Sequence, residues 1–594
     1  MLVGIVSVQC RGHRGTRRIS HARVILRGVG SSVLGRRSQR PYDTRPLCSA
    51  VGSPEAGGYV AGMIRILVAD KLADDGLARL RSAAGVSVDV RTGLSPGELA
   101  ELVADYDGML IRSGVKVTAE VLAKPGRLRV VARAGVGVDN VDLAAATRAG
   151  VLVINTPDAN TLSTAEQTFA LMLALARHTP AACADLKSGR WNRAQFEGTQ
   201  LAGKTLGILG LGRVGRAVAT RALAFEMNVL AHDPFVSDAT AMGGRIRLLP
   251  TVEELIAAAD FLTIHAVMSD ATRGLIGAAQ LAAARPGLRI INCARGGIVD
   301  ERALADAIRA GRVAGAALDV FEQEPPPADS PLLGLPQVVC TPHLGASTIE
   351  AQQAVSIEAV DALLDFLLRG QVRGACNLVG LPSRMSERDL AAADLVSRLG
   401  AVLSAFCDRG VSNVTLTTYG TALETVAPAL QRFALASLLG PFVSDRLNVV
   451  NVDSVVRQRG ISIQHLSEPE SRGTTDRVRL AVDGGGVRHQ IEGGLDGDGL
   501  PRLLAIDGYP MNIVPEGTLL LIFNDDRPGV IGLVGTTLGN LEINIADMAL
   551  SRHANRALMV LKLDAPPPDQ ALAALSGSDS ILSVRLVNLT GVTP

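Results

Sequence analysis

Three short segments in the middle of the chain carry an arginine, a carboxylate and an imidazole. Arg295 stands in an Asn-Cys-Ala-Arg-Gly-Gly segment, Glu324 directly precedes a proline, and His343 stands in a Pro-His-Leu-Gly turn. An arginine fork can hold a substrate carboxylate, and a histidine oriented by a carboxylate can transfer a proton. Beside a nicotinamide, these groups provide what the reversible oxidation of a 2-hydroxy acid requires. The sequence therefore predicts an oxidoreductase.

Two carboxylates compete for the position beside the histidine. Glu322 and Glu324 both lie in the segment Asp-Val-Phe-Glu-Gln-Glu-Pro. A carboxylate bonded to one ring nitrogen of His343 would fix its tautomer and raise its basicity. Spacing alone does not choose between the two glutamates.

A glycine-rich loop precedes these segments. Gly210, Gly212 and Gly215 follow an apolar stretch at 205–209 and open a helical stretch at 213–225. In such a loop the first glycine permits a tight turn, the second lets the backbone approach a pyrophosphate, and the third lets helix and strand pack closely. We interpret the loop as the phosphate-binding turn of a dinucleotide site.

The type of dinucleotide depends on Asp233, which ends the next predicted strand about twenty residues further on. A carboxylate there can accept hydrogen bonds from ribose hydroxyls and would repel a 2′-phosphate. NAD is therefore favoured over NADP, although the basic neighbours His232 and Arg213 leave NADP open.

The elements that must position these residues alternate short apolar runs with amphipathic stretches, which is typical of parallel α/β sheets. We predict two Rossmann-like, doubly wound parallel-sheet domains in tandem, separated by a helix at about 163–178. The predicted strands are 64–69, 108–111, 129–132 and 151–154, then 205–209, 228–231, 261–265, 289–292, 314–318 and 338–341.

The predicted domain organisation has five parts. The helical segment after Ser347 is expected to return to the first domain, because the second sheet is already complete. The expected boundaries are a leader at 1–62, a substrate-binding domain at 63–161 and 346–376, an NAD-binding Rossmann domain at 162–345, an α+β intervening domain at 377–510 and a regulatory domain at 517–594.

Composition excludes several functions. A chain of 594 residues is too long for one core, and its formal net charge of +1 gives no bias toward nucleic acid or anionic membranes. Seven cysteines without a CxxC pair argue against a metal site or a disulfide framework. Apolar runs are far shorter than a membrane span. We therefore expect no nucleic-acid, membrane or metal partner.

The leader at 1–62 is rich in arginine and poor in acidic residues. This composition resembles an organelle transit peptide, which would place the protein in a plastid or another organelle. Alternatively, Met63 is the true start and the protein is cytoplasmic, which is the interpretation we favour.

From residue 63 to about 378 the sequence resembles the D-2-hydroxyacid dehydrogenase family. The segments that carry the resemblance are 131–140, 210–215, 292–301, 318–321 and 341–348. The resemblance implies that Arg295, Glu324 and His343 are the catalytic residues, with His343 as proton donor and acceptor. It also favours Glu324 over Glu322.

The same resemblance implies the binding residues. For the substrate they are Arg112, Ser113, Arg133, Gly135 and Gly137, with the two arginines facing a phosphate or a carboxylate. For the cofactor they are Val136, Gly210, Gly212, Arg213, Val214, Gly215, Asp233, Cys293, Asp319 and Gly345. The segment His265-Ala-Val267 departs from the family, whose members usually carry a proline soon after the histidine.

The C-terminal region is similar to an ACT domain, a βαββαβ module that binds amino acids. A strand at 517–523, a turn, a helix at 530–541 and a strand near 544–545 carry this similarity. It implies that L-serine binds between paired ACT domains, at Asp526 and Asn544. Asn524 stands where some relatives have an aromatic residue, which affects the expected strength of inhibition.

Taken over the whole chain, the resemblance implies NAD-dependent oxidation of 3-phospho-D-glycerate to 3-phosphooxypyruvate, the first step of L-serine biosynthesis. It further implies a homotetramer with serine as effector. One alternative is a hydroxypyruvate or glyoxylate reductase, which needs no phosphate site. A second alternative is a ligand-sensing protein that has the dehydrogenase fold but does not catalyse the reaction.

Overall fold

The first sheet of the protein is parallel and has five strands. The computed structural model describes residues 63–236, 241–378, 385–408, 410–443, 446–469 and 476–590, so the predicted leader lies outside the described residues. The elements are β1 (Ile64–Val68), α1 (Asp74–Arg81), β2 (Val86–Val90), α2 (Pro96–Leu102), β3 (Gly108–Ile111), β4 (Val130–Arg133), α3 (Leu143–Arg148) and β5 (Leu152–Ile154). The strand order is β2-β1-β3-β4-β5. Sequence analysis missed β2, an edge strand whose short Val-Ser-Val-Asp-Val pattern is only half-buried.

The second sheet is also parallel and has seven strands, in the order β12-β11-β10-β9-β6-β7-β8. Its elements are α4 (Thr161–Ala176), α5 (Thr179–Lys187), β6 (Thr205–Leu209), α6 (Arg213–Ala224), β7 (Asn228–His232), β8 (Arg247–Leu248), α7 (Val252–Ala258), β9 (Phe261–Ile264), α8 (Ala278–Ala282), β10 (Leu288–Asn292), α9 (Glu301–Arg309), β11 (Val313–Leu318) and β12 (Val338–Cys340). Buried Val, Leu, Ile and Ala residues fill both faces, as expected for strands covered by helices on each side. The predicted pair of doubly wound sheets is confirmed.

Helix α10 (Ile349–Arg369) follows the second sheet but packs on the first. Its N-terminus is capped by the Thr348 hydroxyl, which accepts a hydrogen bond from the Ala351 amide at 3.1 Å. Val355, Ala359 and Leu363 join the core that covers β1, β3 and β4. The chain thus returns to its first domain. Two segments of the chain therefore connect the two domains across the cleft between their sheets.

The intervening region forms a mixed sheet of six strands in the order β14-β13-β15-β16-β17-β18. The elements are α11 (Glu387–Ser404), β13 (Asn413–Tyr419), α12 (Ala427–Leu439), α13 (Val452–Gln458), β14 (Ser462–Glu468), β15 (Arg477–Gly484), β16 (Val487–Leu495), β17 (Pro501–Ile506) and β18 (Tyr509–Ile513). Only β13 and β14 are parallel. Helices α11 and α12 pack against each other over the core of this sheet, which confirms the predicted α+β class.

The C-terminal region is a four-stranded antiparallel sheet in the order β20-β21-β19-β22. Its elements are β19 (Thr518–Asp525), α14 (Val530–Gly539), β20 (Ile545–His553), β21 (Arg556–Leu563), α15 (Asp569–Ser576) and β22 (Ile581–Asn588). Leu520 and Ile522 of β19 pack against Val534 and Leu538 of α14. The predicted βαββαβ module is therefore confirmed. No helix in the described ranges is long and apolar enough to cross a membrane.

Candidate active site

The three predicted catalytic groups lie in one cleft, because they follow three neighbouring strands of the second sheet. Arg295 follows β10, Glu324 follows β11 and His343 follows β12. The carboxyl ends of parallel strands meet at one edge of the sheet, where open α/β folds bind their ligands. All three side chains line a cavity of about 670 Å³, to which Arg112 and Arg133 of the first domain also contribute.

His343 and Glu324 form a hydrogen-bonded pair. The Nδ1 atom of His343 lies 2.7 Å from Oε2 of Glu324, and the Phe321 amide donates to Oε1 of Glu324 at 3.1 Å. Burial acts to raise the pKa of Glu324, but the bond to His343 and the nearby cations outweigh it and hold that pKa below its ordinary value. The carboxylate therefore stays ionised and orients the ring. Nε2 is the ring nitrogen that a substrate hydroxyl can reach.

The backbone of His343 is held in an unusual conformation by Asp319. The φ angle of His343 is +54°, and its amide donates to the Asp319 carbonyl at 2.9 Å. The fully buried Asp319 carboxylate accepts the Leu344 amide at 2.8 Å, the Gly345 amide at 2.7 Å and the Thr341 hydroxyl at 2.5 Å. Asp319 therefore fixes the histidine loop. Its predicted contact with the cofactor stays a prediction.

The first domain contributes cations to the same cavity. Among the described residues, the buried Nε of Arg133 has no hydrogen-bond partner. Burial, together with repulsion from Arg295, lowers the pKa of Arg133 to about 10, so the guanidinium is still charged at neutral pH. Arg112 lies beside Ser113 on the cavity wall, where its amide donates to Asp70 at 3.2 Å. A buried guanidinium nitrogen that has no hydrogen-bond partner favours an anionic ligand.

Gly135 and Gly137 provide the space that two of these arginines occupy. A Cβ atom on Gly135, whose φ is +142°, would lie 1.4 Å from Nη1 of Arg133. A Cβ atom on Gly137 would lie 1.7 Å from Nη2 of Arg295. The two glycines were predicted to bind substrate, and both line the cavity. Any side chain at either position would displace a guanidinium.

The dinucleotide loop has the geometry that its glycines predict. Gly210 has a φ of +92°, and a Cβ atom there would lie 2.8 Å from the Ala266 amide. A Cβ atom on Gly215 would lie 2.1 Å from the Gly210 carbonyl, so α6 packs closely on the turn. Gly212 has open space where a Cβ would project. The loop can therefore admit a pyrophosphate at the N-terminus of α6.

Asp233 lies just beyond β7 and is tied to this loop. Its Oδ2 accepts the Leu211 amide at 2.8 Å and its Oδ1 accepts the Phe235 amide at 2.9 Å. Each carboxylate oxygen has a second lone pair, which a ribose hydroxyl can still use. Arg213, predicted to contact the cofactor, forms an ion pair with Asp158.

A second cavity of about 290 Å³ adjoins the catalytic groups, as expected for a nicotinamide. It is lined by the predicted cofactor residues Val136, Val214, Cys293 and Gly345, together with His343 and Arg295. Burial raises the pKa of Cys293 to about 12 and lowers the pKa of His265 to about 3, so both side chains are neutral. The residues present thus fit a nicotinamide dinucleotide. His265 lines this cavity as an uncharged ring, and Ala266 and Val267, which stand where relatives usually carry a proline, line it as well.

The structure does not bring the two predicted serine contacts together within one chain. Asp526 follows β19 beside the β20–β21 turn, where it pairs with Arg552 at 3.4 Å. Asn544 precedes β20 at the opposite end of the sheet and donates to Asp564 at 2.8 Å. At roughly 3.3 Å per residue, the eight residues of β19 separate the two ends by about 25 Å.

Sequence reasoning did not single out Asp139, which lines the same cavity. Asp139 of the first domain accepts a hydrogen bond at 2.9 Å from Nε of Arg295 in the second. The adjacent Asn140 donates to the carbonyls of Arg112 and Val115 at 2.8 and 2.6 Å. Asp139 lies within a segment that carried the family resemblance, but no feature of the sequence pairs it with Arg295.

This fold and site define the class of NAD-dependent D-2-hydroxyacid dehydrogenases. The family profile described as "D-isomer specific 2-hydroxyacid dehydrogenase, NAD binding domain" matches residues 169–345. Profiles for the "D-3-phosphoglycerate dehydrogenase intervening domain" and the "ACT domain" match residues 391–507 and 518–577. The predicted enzyme class and nicotinamide cofactor are confirmed.

Relatives that align over nearly their full length show which family within this class the chain belongs to. The chain is 38% identical over 530 residues to D-3-phosphoglycerate dehydrogenase of Methanocaldococcus jannaschii, covering 89% of this chain and 100% of that one. It is 38% identical over 540 residues to the Bacillus subtilis enzyme of that name, with the same coverage. For the Mycobacterium tuberculosis enzyme the identity is 39% over 533 residues, covering 88% and 99%. The chain belongs to the D-3-phosphoglycerate dehydrogenase family.

Proposed function

We propose that this protein oxidises 3-phospho-D-glycerate to 3-phosphooxypyruvate with NAD, the first step of L-serine biosynthesis. The observation that carries the proposal is the buried, unpartnered Nε of Arg133 in the cavity that also holds Arg295, Glu324 and His343. A 2-hydroxy acid without a second anionic group would leave the Nε of Arg133 without a hydrogen-bond partner. The names of the full-length relatives support the same substrate.

In this proposal each side chain has a defined task. Nε2 of His343 accepts the proton of the C2 hydroxyl, and the ionised Glu324 stabilises the imidazolium that results. Arg295 binds the substrate carboxylate and polarises the oxygen at C2. When bound, NAD supplies the acceptor for the hydride that leaves C2. The reverse reaction uses the same groups with the proton returned by His343.

We assign the binding tasks as follows. Arg133 and Arg112, with Ser113 beside them, meet the phosphate, while Gly135 and Gly137 leave room for the arginines. The residues that would hold the cofactor are Val136, Gly210, Gly212, Arg213, Val214, Gly215, Asp233, Cys293, Asp319 and Gly345. The hydrogen-bonding capacity left on Asp233 supports NAD rather than NADP.

The substrate is tested by comparing 3-phospho-D-glycerate with D-glycerate, and 3-phosphooxypyruvate with hydroxypyruvate. We expect kcat/KM to be at least about 100-fold higher for the phosphorylated member of each pair, because charge-assisted hydrogen bonds contribute about 1.5–3 kcal/mol each. The measurement is NADH absorbance under initial-rate conditions. A preference for the unphosphorylated compounds would identify a hydroxypyruvate or glyoxylate reductase instead. Absence of turnover with all four would favour the ligand-sensor alternative.

We also propose that L-serine regulates the enzyme at a site made by two ACT domains, and that the assembly is a homotetramer. The separation of Asp526 from Asn544 within one chain supports a shared site, because one serine cannot span it. The double variant Asp526→Ala, Asn544→Ala is expected to keep its basal kcat and to lose serine inhibition. Calorimetric titration measures the binding of serine, and sedimentation velocity measures the oligomeric state. Serine binding that survives in the double variant would contradict the assigned site.

For location we propose the cytoplasm, with a plastid or another organelle as the alternative that the Arg-rich leader leaves open. The relatives that match about nine-tenths of the chain are bacterial and archaeal, which supports the cytoplasm. Mass spectrometry of the mature N-terminus distinguishes a start at Met63 from cleavage of a transit peptide.

A further inference from the structure

We propose that Asp139 is a positioning residue that holds Arg295 across the cleft in the orientation that the reaction needs. Asp139 belongs to the first domain and Arg295 to the second, and Oδ2 of Asp139 lies 2.9 Å from Nε of Arg295. The pair is therefore a direct bond between the two domains at the reacting centre.

The bonds of Arg295 determine which part of its guanidinium remains for the substrate. Nε is held by Asp139, and Nη1 donates to the Ala294 carbonyl at 2.7 Å. Among the described residues, no hydrogen bond engages Nη2, which projects toward Gly137 and the cavity. Asp139 thus fixes the plane of the guanidinium and directs Nη2 at the substrate.

The neighbouring loop is shaped around this ion pair. A Cβ atom at Gly137 would lie 1.7 Å from Nη2 of Arg295 and 2.7 Å from Oδ2 of Asp139, so the pair needs glycine there. The next residue, Asn140, anchors the loop through two hydrogen bonds to the backbone of the first domain. Asp139 is therefore attached to a fixed support and faces the opposite domain.

The effect of Asp139 should be on catalysis rather than on stability. Its side chain is 65% exposed, and exposed ion pairs contribute little to folding. Misplacement of a catalytic group by about 1 Å can nevertheless cost about 100-fold in rate. Asp139 also offsets the repulsion between Arg295 and Arg133, since its charge acts against the lowering of the Arg133 pKa.

The test uses Asp139→Ala and Asp139→Asn, assayed for 3-phospho-D-glycerate oxidation. We expect kcat/KM to fall at least about tenfold in the alanine variant and less in the asparagine variant, which keeps an acceptor for Nε. The melting temperature and the dissociation constant for NADH should stay at the wild-type values. Asp361→Ala is the matched control, because it removes the same charge from an ion pair with Arg79 on the α1–α10 face.

A double-mutant cycle with Arg295→Lys separates positioning from a general charge effect. Lysine lacks the Nε donor, so adding Asp139→Ala to Arg295→Lys is expected to change kcat/KM less than about twofold. An equal loss in both backgrounds, a lower melting temperature, or wild-type kcat/KM in Asp139→Ala would overturn the inference. Wild-type turnover is measured alongside, so failure of the proposed substrate is distinguished from failure of the proposed role.

Discussion

Replacement of His343 by alanine is expected to lower kcat by about 10³-fold, the range typical for loss of a positioned acid–base group. Nε2 of His343 is the group we assign to take the hydroxyl proton, and its ring is oriented by Glu324 at 2.7 Å. Stopped-flow absorbance of NADH under single-turnover conditions measures the chemical step directly. Glu324→Gln keeps the shape of the side chain but removes its charge, and we expect a smaller loss than in His343→Ala.

The control for this prediction is cofactor binding. The dissociation constant for NADH, measured by fluorescence, should change little in His343→Ala, because the dinucleotide loop at Gly210 and Gly212 is unaffected. His465→Ala removes a histidine of the intervening domain that bonds to Thr418, and it should retain the wild-type kcat. Robust turnover in His343→Ala would refute the assigned proton transfer.

Replacement of Arg133 by alanine is expected to raise KM for 3-phospho-D-glycerate by about 10- to 100-fold, with a smaller change in kcat. The reason is the loss of charge-assisted hydrogen bonds worth about 1.5–3 kcal/mol from a half-buried guanidinium, whose buried Nε has no partner in the described part of the chain. For D-glycerate, which lacks the phosphate, KM should change far less. Steady-state assays with both substrates measure the difference.

The same variant should be at least as stable as the wild type. Burial of a guanidinium nitrogen that has no hydrogen-bond partner costs free energy of folding, so removal of the Arg133 side chain is expected to leave the melting temperature unchanged or to raise it. Arg91→Ala, which removes an exposed arginine of the same domain, is the matched control for charge. An equal increase in KM for both substrates would contradict a phosphate-specific role for Arg133.

Sequence analysis predicted correctly those features of the protein that depend on short segments of the chain. Six of the seven strands of the second sheet were predicted to within one residue at each end, because buried parallel strands form continuous apolar runs. The edge strands β2 and β8 were missed: β2 is half-buried, and β8 has only two residues. Residues alone also left Glu322 and Glu324 open. In the structure it is Glu324 that bonds to His343.

In the C-terminal ACT region, by contrast, sequence analysis did not predict how far apart the two proposed serine contacts lie. The ACT module was predicted correctly, and Asp526 and Asn544 were assigned to one serine site. Only the strand register places them at opposite ends of the sheet in a single chain. A site that is shared between chains depends on quaternary contacts, which no spacing within one sequence specifies.

By itself the sequence determined the class of the protein, because the glycine loop and the Arg295, Glu324 and His343 segments each lie on a short stretch of chain whose local geometry follows from residue type. Tertiary structure decided how those segments meet. It joined Asp139 of one domain to Arg295 of the other, and it placed the buried Asp319 carboxylate under the His343 loop. These contacts link residues far apart in the chain, and their geometry is fixed only when both domains pack around one cleft.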